Sequence, residues 1–417
     1  MQNMILAQDA VLHIHPTDKF KDVTLCLELM DPLKKEEQAG RMVLAFMLQD
    51  VCRRYPTKKE AGKALDMLYG ADITVNSDAH GNASIFEIRI TAADKRFIED
   101  SDILQKQFEL MHDFVFDPNM KDGHFQKALF EECRLKAITA VRMSNDDPSS
   151  YAVQRAAKVY GETIAARCLP DESDLAALKE EDVLFLYSNI LSGSAADLFV
   201  LGHVDPDECM ALAEKYIPLK DRFAKHQLIN PSDRSLLTRK TEDKQITQSY
   251  LVNMYDTGHT YLDSEMPAMM LGNGILGALP TSFLFQEVRE KRSLCYAISS
   301  ENLVYDGILR IATAMNAENV ELTQKLIEEQ LQKMKDGSFS DEMMETSRRM
   351  YINSWRSSLD HVKSILWDDY RGIILNQDDA VADMIERFQK VTREQIAQAF
   401  SSIQLKTSYL LRQEDAE

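Results

Sequence analysis

The residues Met120-Lys121-Asp122-Gly123, followed by Phe125, recur as Met334-Lys335-Asp336-Gly337, followed by Phe339. The offset between the copies is 334 − 120 = 214 residues. Each copy leads into a helix-like run, FQKALFEECRLKAITAV in the first half and FSDEMMETSRRMYINSW in the second. One such match could arise by chance, so further matches in the same order are needed to establish a duplication.

Two more pairs of segments match in that order. The strand-like run VTLCLELMD ends at Asp31 and SYLVNMYD ends at Asp256, an offset of 256 − 31 = 225. The helix-like run LKEEDVLFLYSNI ends at Ile190 and FQKVTREQIAQAFSSI ends at Ile403, an offset of 403 − 190 = 213. A period of this length is too long for a solenoid, so the sequence predicts two tandem domains of one fold.

The hydrophobic pattern within a copy predicts mixed structure. Val23, Leu25, Leu27 and Leu29 alternate with more polar residues, as in a strand with one buried face. The segment from Glu36 to Cys52 is apolar almost all round, which is typical of a buried helix. Strands grouped apart from helices favour an α+β class. We therefore expect a tandem duplication of one α/β sandwich domain, a mostly antiparallel sheet covered by helices.

Domain boundaries follow from the repeat and from one polar stretch. Residues 220–244 are polar and contain Asn230-Pro231-Ser232-Asp233, which indicates a linker. The sequence thus predicts a first domain over 1–219, a linker over 220–244 and a second domain over 245–417.

Composition excludes several classes of function. The chain has 417 residues, with 48 Lys+Arg against 67 Asp+Glu, and a net charge of −19 should repel nucleic acid. Its longest apolar run, Val43 to Leu48, is far shorter than the roughly 20 residues of a membrane span. The N-terminus lacks a basic region, so we expect no secretion signal. The six cysteines are widely spaced, which indicates reduced thiols and a cytoplasmic protein.

Two segments are candidates for chemistry. His13 and His15 are two residues apart, so on a strand they share a face; they are either half-exposed strand histidines or two ligands of an independent metal centre. The segment LFQEVREKRSLCYAISS, residues 284–300, predicts a helix followed by a strand that begins near Tyr296. Its basic residues form either a solvated helix face with a core tyrosine or part of a functional site.

The second segment carries a resemblance to a known family. Gly272-Asn273, Ile275-Leu276-Gly277 and the residues from Ser282 to Tyr296 strongly resemble the pitrilysin/insulinase metallopeptidases, in particular subunits similar to those of mitochondrial processing peptidase. Weaker landmarks lie across the whole chain: Arg54-Tyr55-Pro56-Thr57, Leu68-Tyr69-Gly70-Ala71, Asp146-Asp147-Pro148 and His203-Val204-Asp205. The resemblance implies tandem α/β domains, in agreement with the repeat.

The chain departs from this family where catalytic members bind zinc. Their inverted motif, H-x-x-E-H, lies on the buried helix shortly before the Tyr-Pro-Thr landmark, and its ligand and base positions fall here on Met42, Ala45 and Phe46. The third ligand, a glutamate, would fall near Thr139 or Ala140. Because these residues cannot hold zinc or activate water, we expect no cofactor bound by this chain.

The family also has a functional arginine and tyrosine seven residues apart in its non-zinc half. Arg289 and Tyr296 match that pair in type and spacing, since 296 − 289 = 7. By resemblance, Tyr296 would donate a hydrogen bond to the scissile carbonyl and Arg289 would hold a neighbouring carbonyl of the peptide.

The resemblance therefore implies the catalytically incomplete subunit of a heteromeric zinc peptidase. Zinc is expected on a homologous H-x-x-E-H partner in a heterodimer, although a self-dimer stays open, and the substrate is expected to be an unfolded peptide. The alternative is a non-proteolytic structural or peptide-binding subunit. We expect neither nucleic acid nor a membrane as a partner.

Overall fold

A computed structural model describes residues 1–224, 228–230, 236–377 and 381–414. The chain forms two compact units. The first comprises Met1–Arg142 and Leu169–Gln227, and the second comprises Met143–Cys168 and Leu228–Glu417. Among the described residues, no helix has both the length and the apolar character that crossing a membrane requires.

The first unit is built on a six-stranded sheet in the order β1-β2-β8-β3-β5-β4. Neighbouring strands are antiparallel except β2 and β8, which are parallel. The strands are β1 Gln2–Ala7, β2 Ala10–Pro16, β3 Asp22–Pro32, β4 Asp72–His80, β5 Ala83–Ala93 and β8 Ala195–Gly202; a two-stranded ribbon is formed by β6 Met120–Lys121 and β7 His124–Phe125.

Helices of the first unit build its core with one face of this sheet. The helices are α1 Gln38–Asp50, α2 Lys58–Met67, α3 Ile103–Val115, α4 Lys127–Asp146, α7 Glu172–Ala177, α8 Glu180–Gly193 and α9 Pro206–Tyr216. Leu25, Leu27 and Leu29 of β3 join the apolar core that these helices supply. Thr57 caps α2 by accepting a hydrogen bond from the amide of Glu60, as its position before the helix predicts.

The second unit is built on a five-stranded sheet in the order β11-β12-β10-β13-β9. Its strands are β9 Thr238–Lys244, β10 Ser249–Asp256, β11 Cys295–Leu303, β12 Ile308–Met315 and β13 Gln404–Gln413. Its helices are α5 Pro148–Tyr160, α6 Glu162–Ala165, α10 Met266–Asn273, α11 Val320–Lys335, α12 Asp341–Ser358, α13 Val362–Leu375, α14 Val381–Gln389 and α15 Arg393–Ser401. Two π-helical segments, Gly274–Ala278 and Phe285–Glu290, follow α10.

The two sheets share one topology. The order β2-β8-β3-β5-β4 of the first corresponds to β9-β13-β10-β12-β11 of the second, and each contains one parallel pair, β2 with β8 and β9 with β13. The repeated motif also has equivalent surroundings, since Phe125 and Phe339 are both buried immediately before the long helices α4 and α12. The predicted tandem α+β fold is therefore confirmed.

The units differ from the predicted domain boundaries in two places. Residues 238–244, assigned above to the linker, form the edge strand β9, whose mostly exposed polar side chains conceal it from a hydropathy pattern. Two parts of that linker, residues 225–227 and 231–235, lie outside the described residues. Residues 143–168, assigned to the first domain, belong to the second unit.

Helix α5 explains the second difference. Asp147 accepts hydrogen bonds from the amides of Ser149 and Ser150 and Pro148 occupies the first turn, so the helix has a well-formed start. The side chains of α5 that face the second sheet are small or aromatic and contact apolar residues of β10 and β13. The members of this cluster include Ala152, Ala156, Tyr160, Val252, Met254, Tyr409 and Leu411.

Candidate functional site

The family's zinc-ligand positions lie on one side of α1. Ala45 is buried, whereas Met42 and Phe46, one helical turn apart, are only partly buried. Val43, Leu44, Met47 and Leu48 are buried on the other sides. The run from Val43 to Leu48 is thus a core helix, as the sequence predicts, but Phe46 lies on its less buried side.

A cation lies against this side of α1. The ammonium of Lys136, on α4, lies 4.2 Å from the centroid of the Phe46 ring. Thr139 is exposed and donates its hydroxyl hydrogen to the carbonyl of Leu135, and Ala140 is partly buried. A thioether, a methyl group, a phenyl ring and an ammonium offer no set of zinc ligands. The side chains here cannot form the family's catalytic metal site.

His13 has a structural role. It is buried on β2, its ring stacks on Phe199, and its Nε2 lies 2.7 Å from Asp197 Oδ1. Its Nδ1 lies 3.1 Å from Asn3 Oδ1. The prediction of a half-exposed strand histidine is wrong for His13, because both ring nitrogens have buried or partly buried partners in the sheet.

Arg289 lies on an irregular helical segment of the second unit. Phe285–Glu290 is π-helical, and such segments occur often at functional sites. The guanidinium of Arg289 lies 4.5 Å from the centroid of the Phe285 ring, and its Nε lies 3.7 Å from Glu290 Oε1. With 43% of its side chain exposed, Arg289 keeps donors available to solvent. Val288, its neighbour, is fully buried, which anchors the segment.

Tyr296 lies at a bulge in the edge strand β11. Cys295 pairs with Met315 and Ala297 pairs with Ala314, so Tyr296 is the extra residue that has no partner on β12. A β-bulge changes the direction in which its side chain points, and bulges are common beside active sites. Tyr296 is 73% exposed. The core tyrosine of the alternative interpretation is therefore wrong for this residue.

Backbone hydrogen bonds join the Arg289 and Tyr296 segments. The amide of Ser293 donates to the carbonyl of Arg289 over 3.0 Å, and the amide of Leu294 donates to that of Val288 over 3.2 Å. Ser293 has φ 51°, in the left-handed region, so the chain turns sharply between the π-helix and β11. The turn places both candidate residues near the start of β11.

Close packing beneath β11 fixes its position. A Cβ on Gly277 would lie 2.6 Å from Ser300 Oγ and 2.7 Å from Leu284 Cδ1, so only glycine fits here. Ser300 Oγ in turn donates to Asn273 Oδ1 over 2.5 Å in the buried interior. Gly277 and Asn273, both in the motif that carries the family resemblance, therefore support β11.

This arrangement presents hydrogen-bond donors to solvent. The phenol of Tyr296 can donate one hydrogen bond and the guanidinium of Arg289 can donate several, both toward a carbonyl oxygen. The sequence singles out this pair by residue type and spacing, and its functional role stays a prediction. The sequence does not predict the π-helix or the bulge, because neither feature changes the spacing of apolar residues.

Comparisons with known proteins agree with this picture. A family model described as the peptidase M16 inactive domain matches residues 177–351. The chain is 25% identical over 406 residues, 96% of this chain and 95% of the relative, to a Bacillus subtilis (strain 168) protein named probable inactive metalloprotease YmfF. It is 22% identical over 223 residues, 52% of this chain and 53% of the relative, to a Rickettsia felis protein named uncharacterized zinc protease.

Solved structures share the fold over the whole chain. A conserved protein from Enterococcus faecalis V583 is 25% identical with a TM-score of 0.95, over 100% of this chain and 99% of that one. A peptidase M16 inactive domain from Pseudomonas fluorescens is 16% identical with a TM-score of 0.80, over 100% of this chain and 99% of that one.

Proposed function

Because this chain is a homologue of the M16 peptidases that lacks their zinc-binding motif, we propose that it is the non-zinc subunit of a heteromeric peptidase. The M16 peptidases are the pitrilysin/insulinase metallopeptidases, so the resemblance recognised from the sequence is confirmed. The chain is catalytically incomplete, since Met42, Ala45 and Phe46 replace the metal ligands and the base. The proposal is that a cytoplasmic partner chain with H-x-x-E-H supplies zinc and the activated water.

The observation that carries the proposal is the exposure of Arg289 and Tyr296 in a chain whose metal-binding residues are replaced. If the pair served only to pack the second unit, its polar groups would be turned inward and satisfied there. Instead the bulge turns the Tyr296 side chain to solvent. In the proposed enzyme its hydroxyl donates to the scissile carbonyl as negative charge develops on the oxygen. Arg289 binds a neighbouring carbonyl before and during that step.

The proposed substrate is an unfolded peptide. Strand β11 is at the edge of its sheet, with β12 as its neighbour on one side, and Ala297, Ser299 and Glu301 are exposed along it. An extended peptide can add to such an edge through main-chain hydrogen bonds, which do not depend on its sequence. In a folded protein most of the extended backbone is already paired within its own sheets, which favours an unfolded peptide as the substrate.

One contact favours a second candidate, a non-proteolytic structural or peptide-binding subunit. The guanidinium of Arg289 already contacts the Phe285 ring of its own segment. Under this alternative the contact stabilises the π-helix, and Arg289 binds peptide without any catalytic consequence. The two candidates therefore differ in what they predict for Tyr296.

The experiment is peptide cleavage by a complex reconstituted with an H-x-x-E-H chain that co-purifies with this one. Tyr296→Phe keeps the ring and removes the hydroxyl, so turnover should fall about 100- to 1,000-fold, as for other single oxyanion donors. Tyr69→Phe, at another exposed tyrosine, is the matched control and should leave turnover unchanged. The thermal stability of each variant is measured in parallel.

Arg289→Ala should lower both peptide affinity and turnover, because its contact exists in the ground state as well as in the transition state. Full turnover in the Tyr296→Phe complex would contradict a catalytic role and favour the structural subunit. If no zinc-bearing partner co-purifies with this chain, the result contradicts the heterodimer and favours the self-dimer.

A further inference from the structure

A row of acidic side chains crosses the first sheet on the face opposite its helical core. Glu28 of β3 lies in register with Asp197 of β8 on one side and with Glu87 of β5 on the other. Like charges directly opposite one another on neighbouring strands destabilise a sheet. Three carboxylates side by side therefore require a compensating cation or proton.

Glu28 is the member of this row with the fewest contacts. It is only 5% exposed, and its Oε2 is buried with no hydrogen-bond partner among the described residues. Its Oε1 accepts a hydrogen bond from Cys26 Sγ at 3.4 Å, and Cys26 is itself buried. Burial, together with the charge of Glu87, raises the pKa of Glu28 to about 8. A buried carboxyl oxygen without a partner is costly in this setting, and a bound metal ion would displace the carboxyl proton.

The neighbouring polar groups do not satisfy it. His13 pairs with Asp197 at 2.7 Å, so that carboxylate already has a partner. Arg89 Nη1 lies 3.5 Å from Glu87 Oε1, and Asn76 Nδ2 donates to the same oxygen over 3.1 Å. Glu28 Oε2 therefore has no partner among the described residues, while Oε1 of the same carboxyl contacts the Cys26 thiol.

We propose that Cys26, Glu28 and Glu87 form a binding site for a divalent transition metal, for which zinc is the best match. One ligand atom from each residue lies within 4.8 Å of the others. Zinc bonds of about 2.0–2.3 Å place two tetrahedral ligands about 3.3–3.8 Å apart, and the separation of Cys26 Sγ from Glu28 Oε1 is 3.4 Å. Water would be the fourth ligand.

Charge balance supports the same ion. A thiolate and two carboxylates carry three negative charges, which the metal and the guanidinium of Arg89 neutralise together. Thiolate with carboxylate is a donor set that zinc accepts and that magnesium and calcium do not favour. The Glu87 side chain is 14% exposed, so it is the ligand of this set that solvent reaches most easily.

This centre is separate from the Met42, Ala45 and Phe46 side of α1, because Cys26 and Glu28 alternate with the leucines of β3 that contact the helices. Metal here would depart from the sequence-based expectation that the chain binds none. It would not restore the family's catalytic site. The proposal goes beyond the peptidase function and does not depend on it.

The test is a Co²⁺ titration of the full chain after chelator treatment, with no peptidase assay. We expect one equivalent to bind with a thiolate-to-cobalt charge-transfer band, which Zn²⁺ then removes. Cys26→Ser should lose that band. Cys209→Ser, at a buried cysteine elsewhere in the first unit, should keep it. Because ligands must be deprotonated, affinity should fall as the pH is lowered.

Glu87→Gln guards against a Cys26 variant that fails to fold, since the substitution keeps the size of a side chain that is still 14% exposed, and circular dichroism can verify the fold of the variant. It should weaken Co²⁺ binding at least about tenfold. The proposal is overturned if the wild-type chain takes up no Co²⁺ at equimolar concentration. It is equally overturned if the band persists in Cys26→Ser, or if Glu87→Gln binds as tightly as the wild type.

Discussion

The carboxylate of Glu242, on β9, connects three parts of the second unit. It accepts hydrogen bonds from the hydroxyl of Tyr151 on α5 at 2.6 Å and from that of Tyr409 on β13 at 3.0 Å. Arg155 of α5 pairs with it at 3.1 Å. The strand hidden in the predicted linker therefore holds a helix from the first half of the sequence. We predict that Glu242→Ala destabilises this unit well beyond the cost of a surface ion pair.

The size of the expected loss in unfolding free energy depends on how buried each group bonded to Glu242 is. Tyr409 is 0% exposed, so its hydroxyl loses its acceptor without gaining water, at a cost of about 1–3 kcal/mol. Tyr151 and Arg155 are partly exposed and can be solvated again, so their lost bonds add less. The free energy of unfolding should fall by about 2–4 kcal/mol in all.

Urea unfolding provides the measurement, and hydrogen exchange of the α5 amides locates the effect. Asp243→Ala is the matched control, because the adjacent residue forms only an exposed pair with Arg412 and should leave the urea midpoint nearly unchanged. If the Glu242 and Asp243 variants unfold at the same urea concentration, with equal exchange in α5, the inferred role of this carboxylate is refuted.

The same contacts predict a pH dependence. Burial alone would raise the pKa of Glu242, but the hydroxyls of Tyr151 and Tyr409 together with Arg155 hold it below the usual value of 4.5. A carboxyl with a depressed native pKa contributes stability above its unfolded pKa and loses it as the pH falls through the native pKa. The stability difference between wild type and Glu242→Ala should therefore shrink below about pH 4.5.

Two further substitutions test the packing described above. Gly277→Ala forces a methyl group against Ser300 Oγ and should destabilise the second unit by about 1–3 kcal/mol in urea; an unchanged midpoint would show that β11 is not held this closely. Phe86→Ala, in the core of the first unit, should lower the free energy of unfolding by about 3–5 kcal/mol. Phe46→Ala should lower it clearly less, because the Phe46 ring is partly exposed beneath Lys136. Equal losses in the two variants would place Phe46 in the core after all.

Much of the fold can be predicted from the sequence because two halves of the chain encode the same fold. The recurrence of Met-Lys-Asp-Gly before Phe125 and Phe339 reveals the duplication, and the alternation around Leu25 and Leu27 reveals the buried strand. The edge strand β9 could not be predicted because it buries almost no side chain, so its main-chain pairing with β13 leaves no hydrophobic pattern in the sequence. The packing of α5 on the second sheet could not be predicted for another reason. An alanine-rich helix face does not specify which sheet it contacts.

The candidate site, like the fold, can be predicted from the sequence only in part. Residue types and spacing identify Arg289 and Tyr296 and exclude zinc at Met42 and Phe46. The bulge that turns Tyr296 outward depends on cross-strand register, which a single sequence does not report. His13 and Asp197 are 184 residues apart, so no local pattern could have predicted that the histidine is paired and buried.

The place of α5 in the second unit has a consequence for synthesis. The helix ends at Tyr160, yet β13, against which it packs, is completed only at Gln413. At about 5–20 residues per second, a ribosome takes roughly ten to fifty seconds to make the intervening chain. During that interval the apolar face of α5 has no finished sheet to cover. A nascent chain stalled between these points should therefore be a preferred client of chaperones.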